Sequence, residues 1–150
     1  MKLNKKGFTM IELLAAVTIL GVIATMAVVS YTKYQEKVRN DAYKAMEKSA
    51  FSAAQTYIAD KGIVVPLTKT NAKPIEISTL VDEGYLKKLE DPRAKGSACH
   101  LGSTVKVYKT KHDGTKLEEH TYIVTIRCTG YVSSHINADG DVEEGVEFKS

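Results

Sequence analysis

The chain has 150 residues, of which 43% are hydrophobic, and its 21 Lys+Arg against 18 Asp+Glu give a formal charge of +3. This length suits one domain or one domain with an appendage, and the small charge excludes both a strongly basic nucleic-acid binder and an acidic disordered tail. Lys2, Lys5 and Lys6 carry the whole excess, because residues 8–150 contain 18 charges of each sign.

An apolar segment, Phe8–Val29, follows these lysines. Only five of its 22 residues are not apolar: Thr9, Glu12, Thr18, Gly21 and Thr25. As a helix it would span about 33 Å, enough to cross a hydrocarbon core of about 30 Å. The lysines before it predict a single-pass helix with its N-terminus in the cytoplasm. A secretory signal peptide is disfavoured, because the run exceeds the usual 7–15 residues and no small-x-small cleavage site follows it.

Glu12 is unusual for a plain membrane anchor, because an unpaired carboxylate in this setting costs about 2.5–3.5 kcal/mol. If the chain were cut after Gly7, Phe8 would gain a positive amine four residues before Glu12. The carboxylate could then pair with that amine in its own helix or in a neighbouring helix, close to a helix N-terminus that favours negative charge.

The stretch Lys5-Lys6-Gly7-Phe8-Thr9-Met10-Ile11-Glu12-Leu13-Leu14 resembles the class III leader and cleavage site of type IV pilins and type II secretion pseudopilins. The resemblance implies that a prepilin peptidase cleaves between Gly7 and Phe8 and methylates the new N-terminal Phe8. It also implies that Glu12 acts in filament assembly. Many pilins carry a proline near the end of the apolar segment, where this chain has Val29. Gly21 is the one residue of the run that weakens a helix, and its role would be either to let the helix melt locally or to let another helix pack closely.

The helical pattern continues beyond the apolar segment without a breaker until Gly62. A narrow stripe recurs at three- and four-residue steps through Tyr31, Tyr34, Val38, Ala42, Ala45, Ser49, Ala53 and Tyr57. Charged residues, Glu47 among them, fill the remaining faces. One helix from Phe8 to about Asp60 is therefore predicted, apolar all round at first and then amphipathic against a globular domain. The small residues Ala50, Ser52, Ala53 and Ala54 suit the close approach of a sheet. A membrane helix followed by a separate helix is the alternative.

A loop at about residues 61–75 and a short helix in Ile75–Leu86 are predicted next, with Ser78 or Thr79 as its cap and Gly84 as its stop. The stretch Thr-Leu-Val-Asp-Glu-Gly-Tyr-Leu, followed by Asp91-Pro92, resembles the segment after the long helix in major and competence pseudopilins.

Residues 104–108 and 122–128 alternate in character like two strands, and His112-Asp113-Gly114-Thr115 is typical of a hairpin turn. Centring the turn between Asp113 and Gly114 pairs Val105 with Tyr122, Leu101 with Ile126 and Cys99 with Cys128. Tyr122, Val124, Ile126 and Cys128 would share one face. A third strand is predicted in either Gly130–Ser133 or Val146–Phe148.

Cys99 and Cys128 are the only cysteines, and the predicted topology places them outside the cytoplasm. A disulfide between them is therefore expected. By closing the loop between them it would stabilise the folded domain by about 3.5 kcal/mol in the chain-entropy model. Two buried free thiols are the alternative.

Metal and catalytic sites receive little support. His100, His112, His120 and His135 lack the spacing of metal ligands. The start of a calcium loop is suggested by the alternation of Asn137, Asp139 and Asp141, and major pseudopilins use calcium near the C-terminus. Against it, such a loop needs glycine and glutamate where this chain has Val142 and Phe148. No catalytic arrangement is supported by position, so no enzyme activity, metal or cofactor is predicted.

The charge of the domain is bipolar. Residues 85–116 hold eight basic and three acidic groups, whereas residues 118–150 hold two basic and seven acidic groups. Scattered surface charge is the simpler explanation, and complementary faces of neighbouring subunits are the functional one.

The sequence thus predicts an α+β, pilin-like protein: a long N-terminal helix packed on a small antiparallel sheet with one disulfide. Its parts are a cleaved leader (1–7), a transmembrane and filament-core helix (8–30), an amphipathic half (31–60) and a globular domain (61–150). The predicted function is a structural subunit of a type IV pilus-like filament, and the alternative is a pseudopilin of a secretion or DNA-uptake apparatus. Predicted partners are copies of the chain, a prepilin peptidase, a membrane platform and an assembly ATPase, with nucleic acid only in the DNA-uptake alternative. The chain would wait in the cytoplasmic membrane and then join an extracellular filament.

Overall fold

The computed structural model describes residues 7–99, 102–111, 118–136 and 142–150. The chain divides into two compact units, of which the first ends at Val38 and the second begins at Arg39. The helices are α1 (Met10–Lys61), a 3₁₀ turn (Lys69–Asn71) and α2 (Ile77–Asp82). The strands are β1 (Pro74–Glu76), β2 (Thr104–Lys111), β3 (Glu118–Thr125), β4 (Arg127–Cys128), β5 (Tyr131–Val132), β6 (Ser134–Ile136), β7 (Val142–Glu144) and β8 (Val146–Lys149).

The long helix is confirmed, with 52 residues in one element. It ends where predicted, because Gly62 adopts a left-handed φ of +61°. The N–H of Ile63 then donates to the carbonyl of Ile58 at 3.1 Å, which satisfies one of the last helical carbonyls.

An antiparallel sheet with the strand order β1-β2-β3-β8 forms the centre of the second unit. Both segments proposed for a third strand are strands: Val146–Lys149 pairs with β3, and Tyr131–Val132 pairs with Arg127–Cys128 in a separate ribbon. A further ribbon is made by β6 and β7. The α+β architecture expected from the sequence is therefore present.

The predicted register of the hairpin is wrong by two residues. Val105 pairs with Val124, not with Tyr122, and Tyr122 pairs with Val107. A two-residue shift leaves every side chain on its predicted face, so the apolar pattern did not discriminate between the two registers. The turn residues 112–117 and Leu101 lie outside the described residues.

The core lies between the second half of α1 and the inner face of the sheet. It contains Ala50, Ala53, Ala54 and Ile58 of the helix, Ile77 and Leu80 of α2, and Val105, Val107, Tyr122, Val124 and Ile126. The three buried alanines were among the small residues assigned to this contact, whereas Ser52 is exposed. Both faces of β3 are covered at its centre, since Ile123 is only 5% exposed.

The predicted stripe along α1 is only partly correct. Tyr31, Tyr34, Val38, Ala45 and Ser49 are exposed. Tyr43 and Glu47 are instead buried together with the core alanines. The buried face is therefore rotated from the one that hydrophobicity indicated, because it includes a glutamate that was assigned to the solvent side.

The short helix begins at Ile77, since Ile75 and Glu76 belong to β1. Its N-cap is Glu76, and neither Ser78 nor Thr79 caps it. The hydroxyl of Ser78 donates to the Glu76 carboxylate at 3.1 Å instead. Gly84 follows the helix with a φ of +82°, as expected of a stop.

Candidate processing and assembly site

The long helix begins with a reciprocal set of hydrogen bonds between Thr9 and Glu12. The Thr9 backbone N–H and its hydroxyl donate to the Glu12 Oε2 at 2.9 and 2.8 Å. The Glu12 N–H donates in return to the Thr9 Oγ1 at 3.4 Å. This is a capping box, in which Thr9 is the N-cap and Glu12 is the third helical residue. The Thr-x-x-Glu spacing is the sequence signal of such a box, whereas the sequence prediction for Glu12 concerned only the helix N-terminus and an amine at Phe8.

Gly7 and Phe8 precede the helix in non-helical backbone and are exposed. Phe8 exposes 86% of its surface. A Cβ placed on Gly7 would meet no atom within 4 Å, and Gly7 does not have the positive φ found at six other glycines. Neither the packing nor the backbone conformation of the described chain therefore requires glycine at position 7.

The apolar segment presents its side chains outward on every side. Its large apolar residues from Phe8 to Val28 are 55–87% exposed. The hydroxyls of Thr18 and Thr25 donate to the carbonyls of Ala15 and Val22 at 2.8 and 2.7 Å, so neither donor is left without a partner in an apolar environment. Within the described residues, α1 is the one helix long and apolar enough to cross a membrane.

The predicted disulfide joins Cys99 and Cys128, whose Cα atoms are 4.5 Å apart. It does not form through the β2–β3 ladder, as the predicted register implied. Cys99 precedes β2 and donates its N–H to the carbonyl of Leu89, whereas Cys128 lies in β4. The bridge therefore fastens the segment after residue 89 to the short β4–β5 ribbon.

A buried carboxylate, Asp91, lies beside this bridge; the sequence pointed to it only as part of the Asp91-Pro92 resemblance. It is 2% exposed and accepts hydrogen bonds from the Tyr43 hydroxyl at 2.8 Å, the Arg93 N–H at 2.8 Å and the Thr129 N–H at 3.1 Å. Burial acts to raise the pKa of Asp91, but these bonds outweigh it and hold the pKa below its usual value. Asp91 thus connects α1 to the disulfide-linked loops.

A second buried carboxylate, Glu47, is 3% exposed. It accepts hydrogen bonds from the Tyr131 hydroxyl at 2.8 Å and the Ser133 hydroxyl at 2.6 Å. Tyr43, which donates to Asp91, and Tyr131, which donates to Glu47, stack ring on ring with their centroids 3.7 Å apart. Burial, followed by the hydrogen bond to Asp91 or Glu47, raises the pKa of Tyr43 and of Tyr131 to about 12. No pattern of spacing in the sequence marks these four residues as a cluster.

Most of the residues considered for metal binding fall outside the described part of the chain. These are His100, His112, Asn137, Asp139 and Asp141, so the calcium hypothesis stays untested. Within the described residues, one group of potential ligands comes together: Asp91, Cys99 and Cys128, whose ligand atoms lie within 4.8 Å of one another. Both sulfurs are in the disulfide, so neither can act as a thiolate ligand.

Two comparisons with known proteins find similarities. The family model described as the prokaryotic N-terminal methylation motif matches residues 2–28, which include Gly7, Phe8 and Glu12. The type IV major pilin protein PilA of Myxococcus xanthus (strain DK1622) is 30% identical over 58 residues, or 39% of this chain and 26% of PilA. The chain thus carries an N-terminal methylation motif and is similar to a type IV pilin. No solved structure matches it significantly.

The motif occupies residues 2–28, and the aligned part of the chain spans about a quarter of the length of PilA. The long helix, antiparallel sheet and disulfide of the structure agree with a pilin fold. The matched residues 2–28 contain the capping box and the exposed apolar segment up to Val28.

Proposed function

We propose that this chain is a structural, non-enzymatic subunit of a type IV pilus-like filament. A prepilin peptidase cleaves it between Gly7 and Phe8 and methylates Phe8. It resides in the cytoplasmic membrane as a single-pass protein with its N-terminus inside. A membrane platform with its ATPase then assembles it into an extracellular filament through the apolar helix. The observation that carries this proposal is the motif from Gly7 to Glu12, which forms the start of a helix whose apolar surface is unburied.

Gly7 supports processing at this bond. Neither φ nor space in the described chain requires a glycine there, so recognition by an enzyme supplies a reason for it that the fold does not. A peptidase that must approach the backbone closely benefits from a residue without a Cβ. The bond lies just before the helix, in exposed non-helical backbone, where an enzyme can reach it.

Glu12 supports assembly through charge. Both of its accepted hydrogen bonds use Oε2, and within the described residues no hydrogen bond uses Oε1. Cleavage would create an ammonium group at Phe8, and Oε1 could neutralise that group in the same chain or in a neighbouring copy. Each apolar segment would then lie in the filament core without an unpaired charge.

The processing step is tested with Gly7→Asp, which places a Cβ and a charge beside the scissile bond. Full-length precursor should accumulate in the membrane, whereas wild type should give mature protein whose N-terminal residue is methylated Phe8. N-terminal sequencing and mass measurement decide this. A mature-size product from Gly7→Asp would contradict the proposed cleavage site.

The assembly step is tested with Glu12→Gln, because glutamine preserves a capping box but removes the charge. This variant should be processed and inserted like wild type yet be absent from sheared filaments. Glu36→Ala, an exposed glutamate of the same helix beyond the apolar segment, is the control and should assemble normally. Filaments with normal amounts of the Glu12→Gln variant would refute the role in charge neutralisation.

A pseudopilin of a secretion or DNA-uptake apparatus is the second candidate. The resemblance of residues 79–92 to pseudopilins favours it, and nucleic acid is an expected partner only in the DNA-uptake case. A pilin forms long surface fibres, whereas a pseudopilin forms a short filament within the envelope. Electron microscopy of expressing cells, with N-terminal sequencing of sheared material, distinguishes the two.

A further inference from the structure

The two cysteines of the disulfide differ in their exposure to solvent. Cys99 is fully buried, whereas Cys128 is half-buried. A thiolate from solvent therefore attacks the Cys128 Sγ. The reagent sulfur bonds to that atom, the Sγ–Sγ bond breaks, and its electron pair leaves with the Cys99 sulfur as a thiolate. A second thiolate then attacks the mixed disulfide, so that two external thiols become one disulfide and their protons pass to the two cysteine thiolates.

A negative charge lies next to the sulfur that would leave. One carboxylate oxygen of Asp91 lies within 4.8 Å of the Sγ atoms of both Cys99 and Cys128. Asp91 is 2% exposed, so little water screens its charge from the sulfurs. The carboxylate stays ionised at neutral pH, because its hydrogen bonds hold the pKa of Asp91 below the usual value.

The groups that hold this carboxylate do not cancel its charge. Arg93 donates its backbone N–H to Asp91, but its guanidinium donates to the carbonyl of Gly130 at 3.4 Å. The other donors are neutral, namely the Tyr43 hydroxyl and the Thr129 N–H. Among the residues that the structure describes, Asp91 forms no ion pair. Its field therefore acts on the neighbouring sulfurs.

We infer that the Asp91 carboxylate protects the Cys99–Cys128 disulfide from reduction by external thiols. Two effects act in the same direction. The carboxylate repels the incoming thiolate, and it also destabilises the thiolate that develops on Cys99 in a buried site, which makes that sulfur a poorer leaving group. The segment after residue 89 thus stays joined to the β4–β5 ribbon where thiols are present. This role does not depend on whether the chain assembles into a filament.

The test measures the reduction of the folded full chain at pH 7 in an uncharged detergent. Cysteamine, 2-mercaptoethanol and mercaptoacetate are the reductants, because their thiolates are neutral overall, singly negative and doubly negative. Each rate constant is expressed per thiolate and divided by that of the same thiol with a small neutral disulfide. On this scale, cysteamine should reduce wild type about tenfold faster than mercaptoacetate does.

Asp91→Asn removes the charge and keeps the shape of the side chain. Its reduction by 2-mercaptoethanol should be about tenfold faster than that of wild type, and its ratio of cysteamine to mercaptoacetate rates should fall to about two. Tyr43→Phe is the matched control, because it removes a hydrogen bond to the same carboxylate and leaves the charge in place. Any loss of stability in Tyr43→Phe should speed all three reactions equally and leave the wild-type ratio unchanged.

Two results for Asp91→Asn would overturn the inference: a rate equal to that of wild type, or a faster rate with the wild-type ratio, which would mean that Asp91 acts through stability alone. If Asp91→Asn does not fold, wild type decides. Acid quenching and peptide mapping locate the first mixed disulfide. A ratio of about ten with the adduct on Cys128 would support protection by the carboxylate. A ratio near one, or an adduct on Cys99, would overturn it.

Discussion

Tyr43→Phe removes one hydroxyl from the buried cluster and leaves the ring, its stack on Tyr131 and its volume in place. The lost bond is a 2.8 Å hydrogen bond to Asp91, an acceptor that is 2% exposed. A hydrogen bond to a buried charged group is worth about 1.5–3 kcal/mol. The free energy of unfolding of the variant should therefore be lower by about 2 kcal/mol. Of the hydrogen bonds described above, Asp91 would keep only those from the backbone N–H groups of Arg93 and Thr129.

Urea unfolding of the mature full chain in detergent at pH 7 measures this loss. Near-ultraviolet circular dichroism is suitable because the chain has eight tyrosines and no tryptophan. With a denaturant slope of about 2 kcal/mol/M, the midpoint should fall by about 1 M. Tyr57→Phe is the control, since the Tyr57 ring also contacts a tyrosine, edge-on against Tyr85, and its hydroxyl forms no hydrogen bond within the described residues. Its effect should be within about 0.5 kcal/mol.

The loss should also depend on pH in a defined direction. The pKa of Asp91 is lowered in the folded chain, so its ionised form contributes stability above the usual pKa of about 3.9. That contribution disappears as the pH falls through the folded-state pKa, and the difference between Tyr43→Phe and wild type should shrink there. If Tyr43→Phe and Tyr57→Phe have the same midpoint at pH 7, the hydrogen bond does not stabilise the domain and the reasoning is refuted.

Two further predictions concern the same domain. Burial and hydrogen bonding raise the pKa of Tyr43 and of Tyr131 to about 12 in the folded chain. The stability that these hydroxyls contribute is therefore complete below pH 10, the usual tyrosine pKa, and is lost between pH 10 and 12. Unfolding midpoints measured from pH 9 to 12 should fall, and constant midpoints would contradict the burial argument. Gly145→Ala places a Cβ 2.6 Å from the Ile123 Cγ2 at a φ of +96°, so backbone strain and overpacking together should lower the free energy of unfolding by about 2–6 kcal/mol. Gly130→Ala, at a φ of +75° in open space, should lower it only by the strain, about 1–3 kcal/mol. Equal unfolding midpoints for the two variants would argue against the close contact at Gly145.

The elements with strong local signals were predictable from the sequence. The 22-residue apolar run and the absence of a breaker before Gly62 determine the long helix and its end. The period-two alternation on residues 122–128 located β3 and part of the ribbon after it. The two cysteines indicated their own pairing because no other cysteine competes.

The sequence could not determine features that depend on contacts between distant segments. A register shift of two residues preserves the pattern of inward and outward side chains, so alternation alone could not choose the pairing of Val105. Glu47 was assigned to the solvent because a glutamate on an amphipathic helix is usually exposed. Its burial depends on hydroxyls 84 and 86 residues away, at Tyr131 and Ser133, which no local pattern announces.

The capping box makes the start of the helix independent of the leader. Thr9 and Glu12 both lie after the Gly7–Phe8 bond, and their reciprocal hydrogen bonds involve no atom before Thr9. Cleavage at that bond would exchange a neutral amide for an ammonium one residue before the cap and leave the first turn intact. A precursor and a mature subunit would then have the same helix start and differ in charge, so that maturation changes what the helix attracts and not how it folds.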